Sequence, residues 1–339
     1  MAINTGLPVI RGHRARITRV GYCGRPIPGE RNSTVFDGFI SVSYERENSD
    51  GDEIEVKNAS GAVCGTDRTP DQFKRFNVSM SLCGIHPEAI ALMTGDPVTL
   101  DANGEVDGML QQTGATGAGF ALEVWAGTGG GEDCAPPTDD AILVTDGEGG
   151  QWWYFLTPWV RDATQGDLEI NGTDAADVSI SGFTGSGAHW GRGPYEVVRG
   201  VDGEADRLLS QLPARTHRLS KLTTVAPPAV TNGMAPLALP TPYYGDSADA
   251  LQPRRTTVTL PANATGGTFT VTIDGNTTTP LAHDAGSSAV QAAVRALGGA
   301  AQQATVSGTA GGPYDVQYTA RAELTTDVSG ITAGDQGEG

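Results

Sequence analysis

Charged residues are scarce in this 339-residue sequence, and basic residues especially so. Lys and Arg number 22 against 40 Asp and Glu, which gives a formal net charge of −18. Proteins that hold nucleic acid through its phosphates need clustered Lys and Arg, so the composition disfavours that class. No apolar run approaches the roughly 18 residues of a membrane-spanning helix, and the N-terminus lacks the apolar segment of a secretory signal. We therefore expect the chain to stay in the compartment where it is made.

The signatures of catalytic and metal sites are also missing. The five histidines form no H-x-x-x-H or H-E-x-x-H pair, and no G-x-S-x-G nucleophile turn occurs. The glycine runs at 114–119 and 127–131 lack the Lys of a phosphate-binding loop. We expect neither enzyme activity, nor a cofactor, nor a metal site. The four cysteines form no C-x-x-C pair and are expected to be reduced, mostly buried thiols: Cys23, Cys64, Cys83 and Cys134.

What the sequence does contain is typical of β-structure. Gly accounts for 47 residues and Pro for 20, and Thr, Ser and Val are plentiful between them. This composition indicates many short strands joined by turns. The 38% of residues that are apolar are enough to build a core. A helical bundle or coiled coil is excluded, and the predicted fold class is mainly β.

Three segments alternate between apolar and polar residues, as half-buried strands do. Residues 38–45 and 53–57 flank the turn-forming run Asn48-Ser-Asp-Gly-Asp52, so they predict a hairpin. Residues 76–82 form the clearest strand, with Phe, Val, Met and Leu on one face and Asn and Ser on the other. The apolar face must be buried, whereas the polar face must meet water, either outside the molecule or inside an aqueous channel.

Other elements follow from local signals. Pro87 and Gly95 bracket a short helix, whose Ile90, Leu92 and Met93 we expect to pack on the sheet. The segments 101–119 and 127–150 are rich in Gly and Asp and indicate exposed loops. Further strands are predicted around Phe120–Val124, in the aromatic run 151–160, and at 168–183, 195–201 and 215–225, with one helical stretch at 205–212.

Charge is unevenly distributed along the chain. The first 31 residues carry a net charge of +5, whereas Asp96–Asp177 carries 16 acids and one base. Either these are separate solvated surfaces that aid solubility, or the basic end of one copy meets the acidic face of the next. In the second case, the N-terminal segment would be an arm between copies, with these candidate contact residues: Arg11, Arg14, Arg16 and Arg19.

The chain divides into three predicted parts. Residues 1–225 form a β domain with an N-terminal arm, and residues 226–253 form a Pro-rich linker or second arm. Residues 254–339 form a small α+β domain in the order β-β-α-β-β, whose amphipathic helix carries Val290, Val294 and Leu297.

Several segments resemble the major tail tube protein of siphophages that infect actinobacteria. They include TRVGYCGRPIPG (18–29), FDGFISVSYERENSDGDEIEVKNASGAVCGTD (36–67), FNVSMSLCGIHPEAIALMTG (76–95), WWYFLTPWVRDATQGDLEINGTDAADVSISG (152–182) and TVAPPAVTNGMAPL (224–237). The likeness covers roughly residues 1–245. The C-terminal stretch TGGTFTVTIDGNTTTPLAHDAGSSAVQAAVRAL is similar to modules appended to phage virion proteins.

The resemblance implies a β-sandwich with a flanking short helix. It also implies that six copies close into a ring and that rings stack into a tube through which DNA is ejected. The implied partners are other copies of the chain, further tail proteins at the tube ends, and DNA as a transient, non-specific passenger, with no membrane. The implied location is the virion tail, after assembly in the host cytoplasm, with the C-terminal domain on the tube exterior.

Strand alternation then suggests which side chains line the conduit. A polar, slightly acidic wall would let DNA slide without holding its phosphates. The candidate wall residues are Ser41, Ser43, Glu45, Glu53, Glu55, Asn77, Ser79 and Ser81.

An alternative remains open at this point. The chain could be a capsid decoration or host-surface protein that binds carbohydrate through Trp152, Trp153 and Trp159. A secreted acidic hydrolase is disfavoured because neither a signal peptide nor a catalytic triad is found.

Overall fold

The computed structural model describes residues 8–112, 119–128, 151–168 and 177–333. Cys134, the predicted strand residue Ile170 and most of the predicted loop 127–150 lie outside these ranges. The described part is mainly β, as predicted, and its α-helices are α1 (Pro87–Thr94) and α2 (Ser287–Ala296). Neither helix is long and apolar enough to cross a membrane. The chain divides into two compact units, Met1–Gly245 and Asp246–Gly339.

The first unit is built on a nine-stranded antiparallel sheet. The unit's strands are β1 (Ile10–Arg19), β2 (Gly29–Phe36), β3 (Phe39–Ser49), β4 (Glu53–Lys57), β5 (Val63–Arg68), β6 (Gln72–Cys83), β7 (Val98–Leu100), β8 (Val106–Met109), β9 (Phe120–Gly127), β10 (Trp152–Gln165), β11 (Asp177–Thr184), β12 (Val198–Arg199), β13 (Ala205–Asp206), β14 (Leu219–Thr223) and β15 (Ala235–Leu237). The sheet order is β15-β2-β1-β9-β10-β11-β6-β3, with β14 paired to the first half of β10. Thus β3 lies at one end of the sheet and β15 at the other.

The middle of the sheet, where β1, β9 and β10 lie side by side, is buried on both faces. On one face, Ile17 and Leu122 are cross-strand partners in a core shared with α1, β6 and β11. On the other face, Trp125 and Tyr154 are partners in a second core, which Trp190 and neighbouring residues cover. A sheet buried on both sides has no water-facing side chains at its centre, which explains why β9 and the first half of β10 are mostly aromatic and aliphatic.

The short helix forms where it was predicted. Pro87 occupies the first turn, and Gly95 ends α1 in the left-handed conformation at φ 83°, with its N–H donating to the Ala91 carbonyl. Ile90, Leu92 and Met93 are fully buried against the sheet. Burial of these three side chains fixes α1 on the face opposite the polar side chains of β6.

The predicted hairpin between residues 38–45 and 53–57 is wrong. Strand β3 pairs with β6, whereas β4 pairs with β5. The chain reverses at Asn58–Ala62 instead, where the Asn58 side chain accepts hydrogen bonds from the backbone N–H groups of Ser60 and Ala62. The turn-forming residues 48–52 therefore separate the β3–β6 pair from the β4–β5 pair, and the chain does not reverse there.

Two other segments differ from expectation. Residues 205–212 form the short strand β13 and irregular chain, not a helix, because the buried Arg192 guanidinium binds the Leu208 carbonyl and the Asp206 carboxylate. Within the Pro-rich segment 226–253, β15 pairs with β2 and buries Leu237, and the division between the units falls at Gly245. Part of this segment therefore belongs to the first sheet.

The second unit contains the predicted order of strands and helix, with four additional short strands. Its strands are β16 (Gln252–Val258), β17 (Ala264–Ile273), β18 (Asn276–Thr277), β19 (Leu281–Ala282), β20 (Thr305–Gly308), β21 (Tyr314–Ala320), β22 (Thr325–Asp327) and β23 (Ile331–Ala333). They form a three-stranded sheet, β16-β21-β20, and a five-stranded sheet around β17. Val290 and Val294 of α2 are fully buried in the core of this unit.

Candidate functional site

Three neighbouring strands, β3, β6 and β11, carry a polar face made largely of serine hydroxyls. The pairing places Ser41 beside Ser81 and Ser81 beside Ser179. It also places Ser43 beside Ser79 and Ser79 beside Ser181, so two rows of three serines cross the sheet. Adjacent strands lie about 4.8 Å apart, so each row forms a closely spaced line of small hydroxyls.

This polar face brings together six of the eight predicted wall residues. They are Ser41, Ser43, Glu45, Asn77, Ser79 and Ser81. The alternate residues of β6, namely Val78, Met80 and Leu82, are buried in the core behind them. Ser179 and Ser181 of β11 complete the face and were missed as site residues, although their alternation with Val178 and Ile180 was visible in the sequence.

Ionised groups lie at the margins of the polar face. Glu47 accepts hydrogen bonds from Arg75 at 2.5 Å and Lys74 at 2.7 Å, which lower the pKa of Glu47 to about 2. The Arg75 guanidinium also stacks 4.0 Å from the centre of the Phe183 ring. Arg75 and Lys74 are therefore both bound to the Glu47 carboxylate, and Arg75 also contacts the Phe183 ring. The middle of the face presents neutral hydroxyls.

The other two predicted wall residues, Glu53 and Glu55, lie elsewhere. They belong to the hairpin formed by β4, β5 and the turn between them, residues 53–68, which we call the ribbon. The ribbon is a two-stranded sheet separate from the one that carries the serine rows. Glu53 is opposite Arg68, and Glu55 forms an ion pair with Lys57 at 3.3 Å.

All residues of β4 and β5 are exposed, including the ribbon's apolar side chains. Ile54, Val56 and Val63 are 61%, 56% and 51% exposed. The cross-strand partners of Ile54 and Val56 are Asp67 and Gly65, so these residues share one face of the ribbon. Val63 lies beyond a β-bulge, opposite Lys57. An isolated two-stranded hairpin is at best marginally stable in water, so an apolar face here indicates a binding surface.

A close backbone contact joins the ribbon to the sheet. The Thr69 N–H donates to the Asp52 carbonyl at 3.0 Å, and the Gly51 N–H donates to the Asp71 carboxylate at 3.0 Å. A Cβ at position 51 would overlap the Thr69 carbonyl oxygen. Glycine at this position therefore lets the two backbone segments approach closely enough for strand pairing to continue into the ribbon.

Replacing Gly51 by alanine is expected to loosen this junction. Overpacking of this kind costs about 1–3 kcal/mol. We expect this cost to lower the free energy of local opening of the ribbon. Hydrogen exchange should show faster exchange of the β4 and β5 amides with unchanged exchange in β9 and β10. Gly65→Ala is the matched control, because a Cβ at Gly65 meets no atom within 4 Å. Equal exchange in the two variants would contradict the role of Gly51.

The structure places residues 10–19 of the predicted arginine arm within the sheet. These residues form β1, an interior strand paired with β2 and β9. Arg16 is buried, and Arg14 forms an ion pair with Asp37 at 3.0 Å within the same unit. Arg11 and Arg19 belong to the same strand. Residues 1–7 lie outside the described residues.

Arg16 belongs to a buried polar cluster at the centre of the sheet. Its Nε and Nη2 donate to the two oxygens of Glu123 at 2.6 and 2.7 Å, and Glu123 is only 1% exposed. The Tyr154 hydroxyl donates to the same carboxylate at 2.6 Å. The Tyr195 ring lies 3.3 Å from the guanidinium carbon. Burial, and then the Glu123 charge, raises the pKa of Tyr154 well above its usual value, so this hydroxyl stays protonated.

The three tryptophans of the alternative carbohydrate-binding hypothesis do not form one platform. Trp152 and Trp153 are consecutive in β10, so their side chains lie on opposite faces of the sheet. Trp159 lies further along β10 and contacts Tyr22, with 6.1 Å between the ring centres. A sugar ring could not stack on all three.

The described cysteines are free, and two of them differ from expectation. Cys64 and Cys83 are exposed and Cys23 is half-buried, so the prediction of mostly buried thiols is wrong for the first two. Among the residues that the structure describes, no group of three or more His, Cys, Asp or Glu side chains is arranged to hold a metal ion.

Comparison with solved structures finds low-scoring likenesses, among them components of two injection systems. No protein-family model matches the chain, and no curated protein matches it. The tube-terminating cap of the anti-feeding prophage is similar at a TM-score of 0.22 and 15% identity, over 54% of this chain and 90% of that chain. The sheath-tube complex of the extracellular contractile injection system PVC, in its extended state, is similar at a TM-score of 0.22 and 16% identity, with the same coverage. At these scores, neither likeness decides the function of the polar face or the ribbon.

Proposed function

We propose that this chain is a structural subunit of a phage tail tube, whose copies join edge to edge and line a conduit for DNA with the polar face of β3, β6 and β11. The observation that carries the proposal is the position of the two serine rows next to the end of the sheet. Strand β3 is 11 residues long and pairs with β6 and no other described strand.

An open edge of this length favours association. Its unpaired backbone N–H and C=O groups can pair with a strand from another copy, and ring closure removes such edges altogether. If β3 joins a strand of the next copy, the serine rows continue from one subunit to the next. The hydrophobic side of the sheet stays covered by α1 and the core behind it.

The chemistry of the polar face suits a surface along which DNA must move. DNA adheres to proteins chiefly through Lys and Arg, which release the counterions of its phosphates. Serine hydroxyls supply no such charge, and two cations at the margin of the face, Arg75 and Lys74, are bound to Glu47. A neutral, hydrated wall would therefore not bind the phosphates of DNA, and the carboxylates at its margins would repel them.

The finer parts of the proposal come from the resemblance in the sequence. They are rings of six copies, stacking of these rings into a siphophage tail tube, ejection of DNA through the bore, and projection of the second unit from the exterior. The partners would be further copies of the chain, other tail proteins at the tube ends and DNA in transit, within a virion assembled in the host cytoplasm.

Electron microscopy of the purified full-length chain tests this proposal. We expect rings or tubes with a central bore in negative stain, together with a sedimentation profile that shifts to large species as concentration rises. A chain that remains monomeric, or forms compact trimers without a bore, would contradict the tube and favour a decoration or adhesion protein.

A further inference from the structure

Outside the polar face, the first unit carries an exposed cluster of aromatic side chains. The cluster, which we call the aromatic patch, consists of Tyr22, Trp159, His189 and Tyr244. Tyr22 is 78% exposed and Tyr244 is 48% exposed. The Tyr22 ring lies 6.1 Å from the rings of both Trp159 and His189, and the Tyr244 hydroxyl donates to the His189 carbonyl at 3.1 Å.

The patch is held in shape by its backbone. Cys23, next to Tyr22, has a left-handed φ of 53°, and its carbonyl accepts a hydrogen bond from the His189 N–H at 2.9 Å. Gly185 lies so close to Trp159 that a Cβ would overlap the indole ring. A strained residue that persists beside an exposed ring indicates that the surroundings fix this conformation, and preorganised surfaces lose little entropy on binding.

Positive charge borders the aromatic patch. The Arg161 guanidinium carbon lies 5.4 Å from the centre of the Trp159 ring, and its side chain is 44% exposed. Its Nε lies 3.8 Å from the carboxylate of the exposed Asp162, a loose ion pair at the rim of the patch. Arg25, also exposed, follows Tyr22 by three residues. Tyr, Trp and Arg are the residue types that contribute most to protein interfaces, so this surface has the composition of an interface hot spot.

The ribbon has the complementary composition. Its apolar face presents Ile54 and Val56 with Asp67 beside them. Residues 50–71 carry six acids and two bases, so the ribbon and its junction are net negative where the aromatic patch is bordered by arginines. Both surfaces are exposed within one chain, so in this structure neither covers the other.

We propose that the apolar face of the ribbon binds the aromatic patch of a second copy of this chain, with Asp67 meeting Arg161. The occupant is a second copy because the chain itself supplies both surfaces, with opposite charge. When the ribbon of one copy binds the aromatic patch of another, the pair still has one ribbon and one aromatic patch unoccupied. Further copies can therefore add at both ends of the assembly. This inference rests on the proposed self-assembly and names the surfaces that carry one of its contacts.

A charge-exchange experiment with the full-length chain tests the contact. Asp67→Arg and Arg161→Asp are each expected to raise the concentration needed for assembly by about tenfold or more, and the double variant to return to within about threefold of the original chain. Tyr22→Ala is expected to have an effect as large as either single reversal, since exposed aromatic anchors dominate such interfaces. Assembly is measured by sedimentation, and folding of each variant by circular dichroism.

Thr66→Arg is the matched control, because Thr66 lies in β5 on the opposite face of the ribbon from Asp67. It is expected to leave assembly unchanged. If the original chain assembles and Asp67→Arg assembles equally well, the ribbon contact is wrong while the tube proposal stands. If the single variants assemble poorly and the double variant assembles equally poorly, Asp67 and Arg161 do not meet and the proposed contact is again wrong. If the original chain does not assemble at all, both proposals fail.

Discussion

Replacing Glu123 by glutamine is expected to lower the free energy of unfolding of the first unit by about 3–5 kcal/mol, the cost of breaking a buried ion pair. Three donors converge on the Glu123 carboxylate, namely Arg16 Nε, Arg16 Nη2 and the Tyr154 hydroxyl. A glutamine side chain would turn its NH₂ group toward at least one of these donors and leave the Arg16 guanidinium buried without a counter-charge. Denaturant unfolding, followed by the fluorescence of the buried tryptophans, measures the loss.

A double variant separates the charge from the shape of the site. Arg16→Met combined with Glu123→Leu removes both charges and keeps similar volume, and such replacements are often close to neutral. We expect the double variant to recover part of the stability that Glu123→Gln loses, because the buried Tyr154 hydroxyl still loses its Glu123 acceptor. A Glu123→Gln protein within about 1 kcal/mol of the original, which is the size of an ordinary substitution, would show that the cluster does not hold the sheet together.

Placing arginines on the polar face is expected to convert the proposed passive wall into a DNA-binding one. Ser79 and Ser181 are cross-strand neighbours, so Ser79→Arg with Ser181→Arg adds two adjacent cations in every copy. If copies form a ring, the cations repeat around the bore. Binding through about 6–10 phosphates weakens by about 10³–10⁵ between 50 and 200 mM salt. We expect tubes of the variant to retain short duplex DNA with this steep salt dependence, and tubes of the original chain to retain none.

Nuclease protection distinguishes the bore from the outer surface. Arginines at Thr257 and Thr305 provide the control, because both threonines are exposed in the second unit, which is proposed to lie outside the tube. DNA bound by the polar-face variant should resist nuclease, and DNA bound by the control should be degraded. Degradation in both cases would place the serine rows on the exterior and contradict the conduit.

The sequence was most informative where local chemistry alone determines structure. Alternation along residues 76–82 correctly predicted which side chains of β6 are buried, because period-two burial is a property of a single strand. Pro87 and Gly95 marked the ends of α1 within one residue, because each acts through its own backbone conformation. The order of strands and helix in the second unit followed from the same local rules.

Long-range pairing could not be obtained in this way. Nothing local to residues 38–57 indicates that β3 pairs with β6, since both candidate turns, at 48–52 and 58–62, contain suitable residues. Arg16 was expected in an N-terminal arm because basic residues cluster in the first 31 positions. Its burial depends on Glu123, which is 107 positions away and is brought opposite it only by the pairing of β1 with β9.

The position of the serine rows in an assembled tube is the most direct test of the account. A cryo-electron microscopy reconstruction of tubes formed by the full-length chain would show where Ser43, Ser79 and Ser181 lie relative to the tube axis. We predict that they face the bore and that β3 pairs with a strand of the adjacent copy. Serine rows on the outer surface, or β3 edges left unpaired between copies, would contradict the conduit.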